Sequence, residues 1–224
     1  MILVEAAVET LESALSAERA GAHRIELCAN LHEGGTTPDV ELIKAVRDCC
    51  RLPVFAMVRP RPGNFTYSDD EAAMMRTQIG IARSYGVGGI VTGALDADQN
   101  LNLSQMQVFV EAANGLPVTF HRAFDFAANR EVALEQLIEI GVSRILTSGG
   151  ARTALEGAER ICSLVARARG RITVVAGGGV RQHNVRALIE RAGVTELHAR
   201  MLEEDHMRNL VELARIAASG VNHS

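Results

Sequence analysis

The sequence alternates short apolar runs with longer stretches in which apolar residues recur every three or four positions. The first run, Ile2–Ala6, is followed by residues 10–20, where Leu11, Ala14 and Leu15 fall on one helical face. A short β-rich run predicts a buried strand, and the longer period predicts an amphipathic helix. Thr10 stands where a helix N-cap is expected.

This strand-then-helix unit recurs eight times. The predicted strands are Ile2–Ala6, Arg24–Cys28, Val54–Val58, Gly89–Thr92, Val118–Phe120, Arg144–Thr147, Ile172–Ala176 and Thr195–His198. Helices are predicted at 10–20, after Pro38, after Ser68, and over Ser104–Ala113, Arg130–Ile140, Ala154–Ala168, Gln182–Arg191 and Asp205–Ala218. Ser68 and Glu71 have the spacing of a capping box.

Eight consecutive βα units predict an α/β fold, a (β/α)8 TIM barrel, as a single domain over residues 1–224. A doubly wound open sheet is the alternative. That fold would need a break in the alternation or a second domain, and the sequence shows no linker, composition shift or low-complexity segment of that kind.

The amino-acid composition argues against nucleic acid as a partner. The formal net charge is -4, aromatic residues make up 4% and tryptophan is absent, so neither a basic surface nor a stacking platform for nucleic acid is expected. No signal peptide or membrane span is predicted. The four cysteines lack zinc-type spacing and are expected as free thiols, which favours a cytoplasmic protein.

Polar residues follow the predicted strands at the end where TIM barrels build their active sites. The residues at or near these strand ends are Glu5, Glu26, Cys28, Glu33, Thr36, Arg59, Arg61, Thr119, His121, Thr147, Ser148 and His198. Because side chains alternate along a strand, Glu26 shares a face with Cys28, and Thr119 shares a face with His121.

The sequence Thr119-Phe120-His121-Arg122-Ala123-Phe124-Asp125 places a histidine, an arginine and a carboxylate where the fifth strand ends. Together the three could bind an anion, move a proton or ligate a metal, or Arg122 and Asp125 could simply pair with each other. Glu26 or Glu5 beside Arg59 would be a carboxylate with a shifted pKa. His121 and His198 are candidate general acids or bases near neutral pH.

Two glycine-rich segments, Ser148-Gly149-Gly150 and Gly177-Gly178-Gly179, follow the sixth and seventh strands. Their backbone N–H groups could bind an anion, as in barrel phosphate sites, or the glycines could only form tight turns. For a metal, Cys28 and Met57 offer a thiolate and a thioether, which suit Cu(I), although both are also ordinary buried residues.

Several of these segments together resemble the CutC family, often called copper homeostasis proteins. The resemblance rests on Arg24–Cys28, Glu33–Pro38, Arg59–Arg61, Tyr67–Asp69, Val91–Gly93, Thr119–Asp125, Arg144–Gly149, Gly179-Val180 and Asn184, in that order. It implies a TIM barrel that assembles as a homodimer or a larger homo-oligomer. It also implies a role in cytosolic copper handling, with cysteine, methionine and histidine as ligands.

The same resemblance implies an enzyme-like site, with Glu26, Arg59, His121, Arg122, Asp125 and His198 lining one mouth. This chain departs from the family after His198, where residues 199–204 alone precede the last predicted helix.

Two functions therefore follow as hypotheses. The first is a cytosolic, CutC-like protein of copper homeostasis that binds Cu(I) through Cys28, with Met57 or a nearby histidine. The second is an enzyme that acts on a small anionic metabolite, held by Arg59 and Arg122, with proton transfer by His121 and a glutamate. Neither needs an organic cofactor, nucleic acid or a membrane. A scaffold with a vestigial site is the third interpretation.

Overall fold

A computed structural model describes the backbone of residues 1–221 and the side chains of residues 1–218. Eight parallel strands form a closed barrel in sequence order, and the last strand pairs with the first. The strands are β1 Leu3–Val8, β2 Arg24–Leu27, β3 Val54–Met57, β4 Gly89–Thr92, β5 Val118–Phe120, β6 Arg144–Thr147, β7 Thr173–Gly177 and β8 Glu196–Arg200. The predicted barrel is confirmed.

One helix follows each strand. The helices are α1 Leu11–Arg19, α2 Val40–Cys49, α3 Asp69–Ser84, α4 Leu103–Ala113, α5 Arg130–Glu139, α6 Ala158–Ala168, α7 Val185–Ala192 and α8 Glu204–Val221. Short 3-10 helices, Leu31–Glu33 and Arg122–Phe126, follow β2 and β5. Among the described residues, no helix combines the length and apolar character that crossing a membrane requires.

The predicted helix caps form. The Thr10 side chain accepts a hydrogen bond from Ser13 N–H at the start of α1. Ser68 and Glu71 form the reciprocal capping box at the start of α3. Each cap satisfies a backbone donor that the first helical turn leaves open, so these helix starts are readable from the sequence.

Helix α6 begins later than its apolar period predicts, at Ala158 rather than Ala154. Residues 148–157 instead form the loop between β6 and α6, and the two ends of this loop touch. A Cβ on Gly157 would lie 1.9 Å from the Ser148 carbonyl oxygen. The apolar spacing across Ala154 and Leu155 therefore serves tertiary packing and is not part of a helix.

Strand residues alternate between two separate environments. Outward residues such as Val4, Ile25 and Val54 belong to the large core between the barrel and its helices. Inward residues Cys28, Phe55, Met57 and Val91 form a smaller apolar cluster inside the barrel.

Gly89 makes room for the Phe55 ring in the barrel interior, since a Cβ at Gly89 would lie 2.4 Å from a ring carbon of Phe55. The barrel interior is thus filled by side chains. Charged side chains lie at its bottom, and a cavity opens at its mouth.

Candidate active site at the barrel mouth

A cavity of about 870 Å³ opens at the carboxyl ends of the strands. Its lining includes Glu26, Cys28, Met57, Arg59, His121, Arg122 and His198. The structure therefore brings seven of the eight candidate site residues to one mouth, while Asp125 lies behind Arg122. The chemical roles of these residues remain predictions.

Two glutamates and a histidine meet at the floor of this cavity. His198 Nδ1 lies 2.8 Å from Glu5 Oε1 and 3.1 Å from Glu26 Oε2. The three residues come from β8, β1 and β2, which are neighbours in the closed barrel. Glu26 and His198 line the cavity, whereas Glu5 lies beneath them.

Below this cluster, a line of buried charges continues into the barrel. Arg24 pairs with Glu5 and with Glu196, the latter at 2.6 Å, and Arg144 lies 3.4 Å from Glu196. Both guanidinium groups also contact the Phe55 ring, at 4.8 and 4.7 Å from its centroid. The expectation that Arg59 lies beside Glu26 or Glu5 is wrong, because Arg24 pairs with Glu5 and His198 lies beside Glu26.

Charge balance in this network requires one bound proton. Three carboxylates, Glu5, Glu26 and Glu196, face the two guanidinium groups of Arg24 and Arg144. Buried charge is tolerated when it is compensated. A single proton held by either Glu26 or His198 balances the network, and that proton lies at the cavity floor.

The pKa values support this shared proton. Burial raises the pKa of Glu26 to about 7 against the opposing charge of His198. Burial also acts to raise the pKa of Glu5, but the hydrogen bond from His198 and the charge of Arg24 outweigh it and lower the pKa to about 2. For His198, burial is outweighed by the charge of Glu26 and the bond to Glu5, so its pKa is raised.

Arg59 is a buried cation without a carboxylate partner among the described residues. Its guanidinium donates to the backbone oxygens of Glu33, Gly35 and Gly63 and lies 4.9 Å from the Phe65 ring centroid. These contacts fix the group while leaving its charge uncompensated. Arg59 therefore makes its side of the cavity electropositive.

His121 is buried and neutral. Its Nδ1 accepts the Ala123 N–H at 3.2 Å, so the ring proton resides on Nε2, which has no partner among the described residues. Burial, and next the charge of Arg59, lower the pKa of His121 to about 3. Near neutral pH the His121 ring is therefore expected to be uncharged, and its hypothesised part in proton transfer stays a prediction.

The depressed pKa of His121 predicts a pH-dependent stability. An unfolded histidine binds a proton below pH 6.5 while the native one stays neutral to about pH 3, so stability falls as pH decreases across this window. His121→Asn keeps an acceptor for the Ala123 N–H but does not titrate. We expect native chain to lose about 2 kcal/mol more than His121→Asn between pH 7 and pH 5.

Urea unfolding at the two pH values measures this difference. An equal loss in native chain and His121→Asn would mean that His121 is protonated in the folded state.

Asp125 has a local structural function. Its carboxylate accepts hydrogen bonds from Arg122 Nε, from the Thr147 hydroxyl, and from the backbone N–H groups of Ser148 and Gly150. The glycine segment after β6, one of the two predicted anion cradles, is thus filled by the chain's own Asp125.

The candidate soft ligands Cys28 and Met57 lie in the same interior apolar cluster, Met57 at the end of β3 and Cys28 directly after the adjacent β2. Burial and then the charge of Glu26 raise the pKa of the Cys28 thiol well above its usual value. Within the described residues, Glu5, Glu26 and His198 form the one group of three His, Cys, Asp or Glu side chains close enough to share a metal ion. Its oxygen and nitrogen donors do not match the soft ligands that Cu(I) prefers.

Sequence reasoning missed Arg24, Glu196 and Arg144 as parts of this network. Alternation along the strands points to two of them, because Arg24 and Glu196 each precede a candidate residue by two positions and share its face. Arg144 and the ring of Phe65 carry no comparable signal.

Comparisons with known proteins agree with this architecture. The model of the CutC family matches residues 2–202. The chain is 45% identical over 196 residues to the human copper homeostasis protein cutC homolog, covering 88% of this chain and 72% of that protein. It is also 45% identical over 195 residues to a CutC family protein of Histophilus somni, covering 87% and 80% of the two chains.

A solved CutC structure from Streptococcus agalactiae superposes with a TM-score of 0.86 at 33% identity, covering 90% of this chain and 100% of that one. Phosphoribosylanthranilate isomerase from Thermotoga maritima aligns with a TM-score of 0.63 at 13% identity, covering 96% and 99% of the two chains, and shows the fold alone.

Proposed function

This chain belongs to the CutC family, and from the chemistry of its barrel mouth we propose that it is an enzyme that transfers protons on a small anionic metabolite. The observation that carries the proposal is the Glu5–His198–Glu26 cluster at the cavity floor. A carboxylate with a pKa near 7 is suited to general base catalysis at neutral pH, because it is both available and sufficiently basic.

Each residue has a defined part in this proposal. Glu26 faces the cavity and accepts a proton from the substrate. His198 shares a proton with Glu26 and so stabilises both the ionised and the neutral form of that carboxyl group. Glu5 orients His198 and stays ionised. Arg59 attracts the anionic substrate and stabilises negative charge that develops in the transition state.

Solvent exchange on a panel of candidate metabolites tests the proposal. Phosphorylated and carboxylated metabolites are first screened for thermal stabilisation, since a ligand that binds only the folded state raises stability. Those that bind are incubated in D2O and followed by proton NMR. We expect deuterium incorporation into at least one compound by native chain, with a rate that rises with pH through about 7 as Glu26 ionises.

Arg59→Met is the matched test of the electropositive wall. It removes the charge but keeps much of the apolar length of the side chain against Phe65. Loss of ligand stabilisation in this variant supports the role of Arg59. Failure of every ligand that binds native chain to exchange with D2O would contradict the proposal.

A second function, Cu(I) binding, is supported by one specific observation and by the names of relatives. Cys28 and Met57 place a thiol and a thioether together in the cavity wall. The human relative is called a copper homeostasis protein cutC homolog. We propose copper as a cargo of this site, in a cytosolic chain that forms homo-oligomers, as an alternative to metabolite turnover.

Substitution of the thiol separates the two functions. We expect Cys28→Ser to weaken Cu(I) binding at least about tenfold, because a hydroxyl is a poor ligand for a soft ion. The measurement is a competition titration of reduced chain against a Cu(I) chelator. Cys162→Ser is the control, since Cys162 is exposed and lies outside the cavity lining. Equal affinity in native chain and Cys28→Ser would remove the proposed ligand.

A further inference from the structure

The loop after β7 carries two consecutive backbone N–H groups without acceptors. Gly178, Gly179 and Val180 line the cavity. The register of β7 and β8 directs the Gly178 N–H at the His198 carbonyl, whereas the N–H groups of Gly179 and Val180 donate to no acceptor among the described residues. Gly178 and Gly179 have φ values of 106° and 71°, a conformation that glycine adopts without strain. Successive N–H groups in such a turn form a concavity that binds anions.

The carbonyl groups of this loop show which way two of the N–H groups point. The Gly178 carbonyl accepts the Ala154 N–H at 2.8 Å, and the Gly179 carbonyl accepts the Asn184 side-chain amide at 2.8 Å. In a trans peptide the N–H lies opposite the carbonyl of the same unit. The N–H groups of Gly179 and Val180 therefore point away from Ala154 and Asn184, neither of which lines the cavity.

Arg122 supplies a fixed cation beside this loop. Its Nε donates to Asp125 at 2.8 Å and its Nη2 to the Ser148 hydroxyl at 2.9 Å. Its Nη1 has no acceptor among the described residues and lies 3.2 Å from the position of a Cβ on Gly178. Asp125 thus acts as a positioning residue that directs the open edge of Arg122 toward the glycine loop.

The two glycine-rich segments differ in whether a carboxylate of the chain already accepts their N–H groups, and this difference locates the site. Asp125 already fills the cradle after β6, because it accepts the N–H groups of Ser148 and Gly150. The cradle after β7 contains no protein carboxylate among the described residues. Arg181 and Arg200 also line the cavity on this side, and Arg200 faces Glu9 at 3.6 Å.

We propose that the loop Gly178–Val180 and Arg122 bind a phosphoryl group, so that the substrate of the proposed enzyme is a phosphomonoester. Arginine and backbone N–H groups match the several oxygens of a phosphate, whereas a carboxylate would leave donors unused. This inference rests on the proposed function, since it identifies the anion that the substrate carries. The remainder of the substrate extends across the cavity toward Glu26.

An amide NMR titration of the native chain tests the site directly. Inorganic phosphate, glycerol phosphate and acetate are added separately at constant ionic strength to nitrogen-15-labelled chain. We expect both phosphates to shift the amide resonances of Gly179 and Val180, with acetate having little effect. The amides of Ser148 and Gly150 are internal controls, because Asp125 already occupies them, and they should not respond directly.

Variants locate the cation and separate this inference from the proposed function. Arg122→Gln should weaken phosphate binding about tenfold, the expected effect of losing a charge-assisted contact. Arg152→Gln, an exposed arginine paired with Glu156, should bind as native chain does. Glu26→Gln should retain phosphate affinity, because Glu26 is not part of the proposed phosphate site. If native chain binds phosphate but catalyses no exchange, the proposed enzyme function is contradicted and the phosphate site is not.

Three results would overturn the phosphate site. They are no response of the β7 loop amides to either phosphate, an equal response to acetate, and unchanged phosphate affinity in Arg122→Gln. If Arg122→Gln does not fold, the native titration still decides the outcome. If the loop amides respond to inorganic phosphate but not to glycerol phosphate, the assignment of the substrate as a phosphomonoester is contradicted.

Discussion

Glu26→Gln is expected to reduce turnover of the substrate by about 10²- to 10⁴-fold, the usual contribution of a general base. The amide has nearly the same shape as the carboxylate but cannot accept the substrate proton. Substrate affinity should change little, because Arg59 remains in place and Glu26 is assigned to proton transfer. The measurement is the rate of deuterium incorporation at saturating substrate, with affinity determined separately.

Glu33→Gln is the matched control for this substitution. Glu33 lines the same cavity, and its backbone oxygen accepts from Arg59 Nη1 at 3.3 Å, but its side chain is exposed. The same chemical change there should leave turnover close to that of native chain. Full activity in Glu26→Gln, or an equal loss in both variants, would contradict the assignment of Glu26 as the base.

Arg24→Met is expected to destabilise the fold by about 3–5 kcal/mol, the usual result of removing one partner from a buried ion pair. Arg24 is buried between Glu5 and Glu196, and its removal leaves both carboxylates without their nearest cation. Methionine retains the apolar part of the side chain against Phe55. The decrease in the free energy of unfolding therefore measures the loss of charge compensation more than a loss of packing.

Urea unfolding measures this effect at neutral pH. Arg186→Met is the control, because Arg186 forms an exposed pair with Glu190 at 2.8 Å. Exposed pairs contribute about 0–1 kcal/mol, so the control should unfold close to native chain. A similar small effect for Arg24→Met would show that the interior carboxylates are protonated or hydrated and need no cation.

The fold was readable from the sequence because each βα unit is locally consistent. Short apolar runs, helical stretches and caps such as Thr10 and Ser68 mark the elements within a few residues. The boundary of α6 was misjudged because the chain before Ala158 forms a loop, in which Gly157 approaches Ser148 and the Ala154 N–H donates to Gly178 of the loop after β7. A single sequence does not distinguish the apolar residues of such a loop from a helical face.

The site was readable in outline, since strand ends converge at one mouth in a barrel. Which residues pair with each other inside the site could not be predicted from the sequence. Whether Glu5 meets Arg24 or Arg59 depends on strand stagger and side-chain length inside the closed barrel, and neither follows from spacing. Similarly, Asp125 reaches the loop after β6 through the 3-10 helix Arg122–Phe126, which the sequence pattern does not indicate.

The state of His121 also depends on the folded environment. The sequence supplies a histidine near a strand end, a position compatible with proton transfer. Burial beside the cation Arg59 keeps it neutral instead, so the proton-sharing part of the site lies on β1, β2 and β8. The mouth therefore divides into an acidic proton-transfer side and an electropositive binding side.

The ionisation of Glu26 in the folded chain is the measurement that tests this account most directly. Carbon-13 NMR of chain labelled at the glutamate carboxyl carbons, with Glu26→Gln used to assign the resonance, gives its titration. A midpoint near 7 is the result expected from burial beside Glu5 and His198. A midpoint near the ordinary glutamate value of 4.5 would contradict it, because Glu26 would then be fully ionised and only weakly basic near neutral pH.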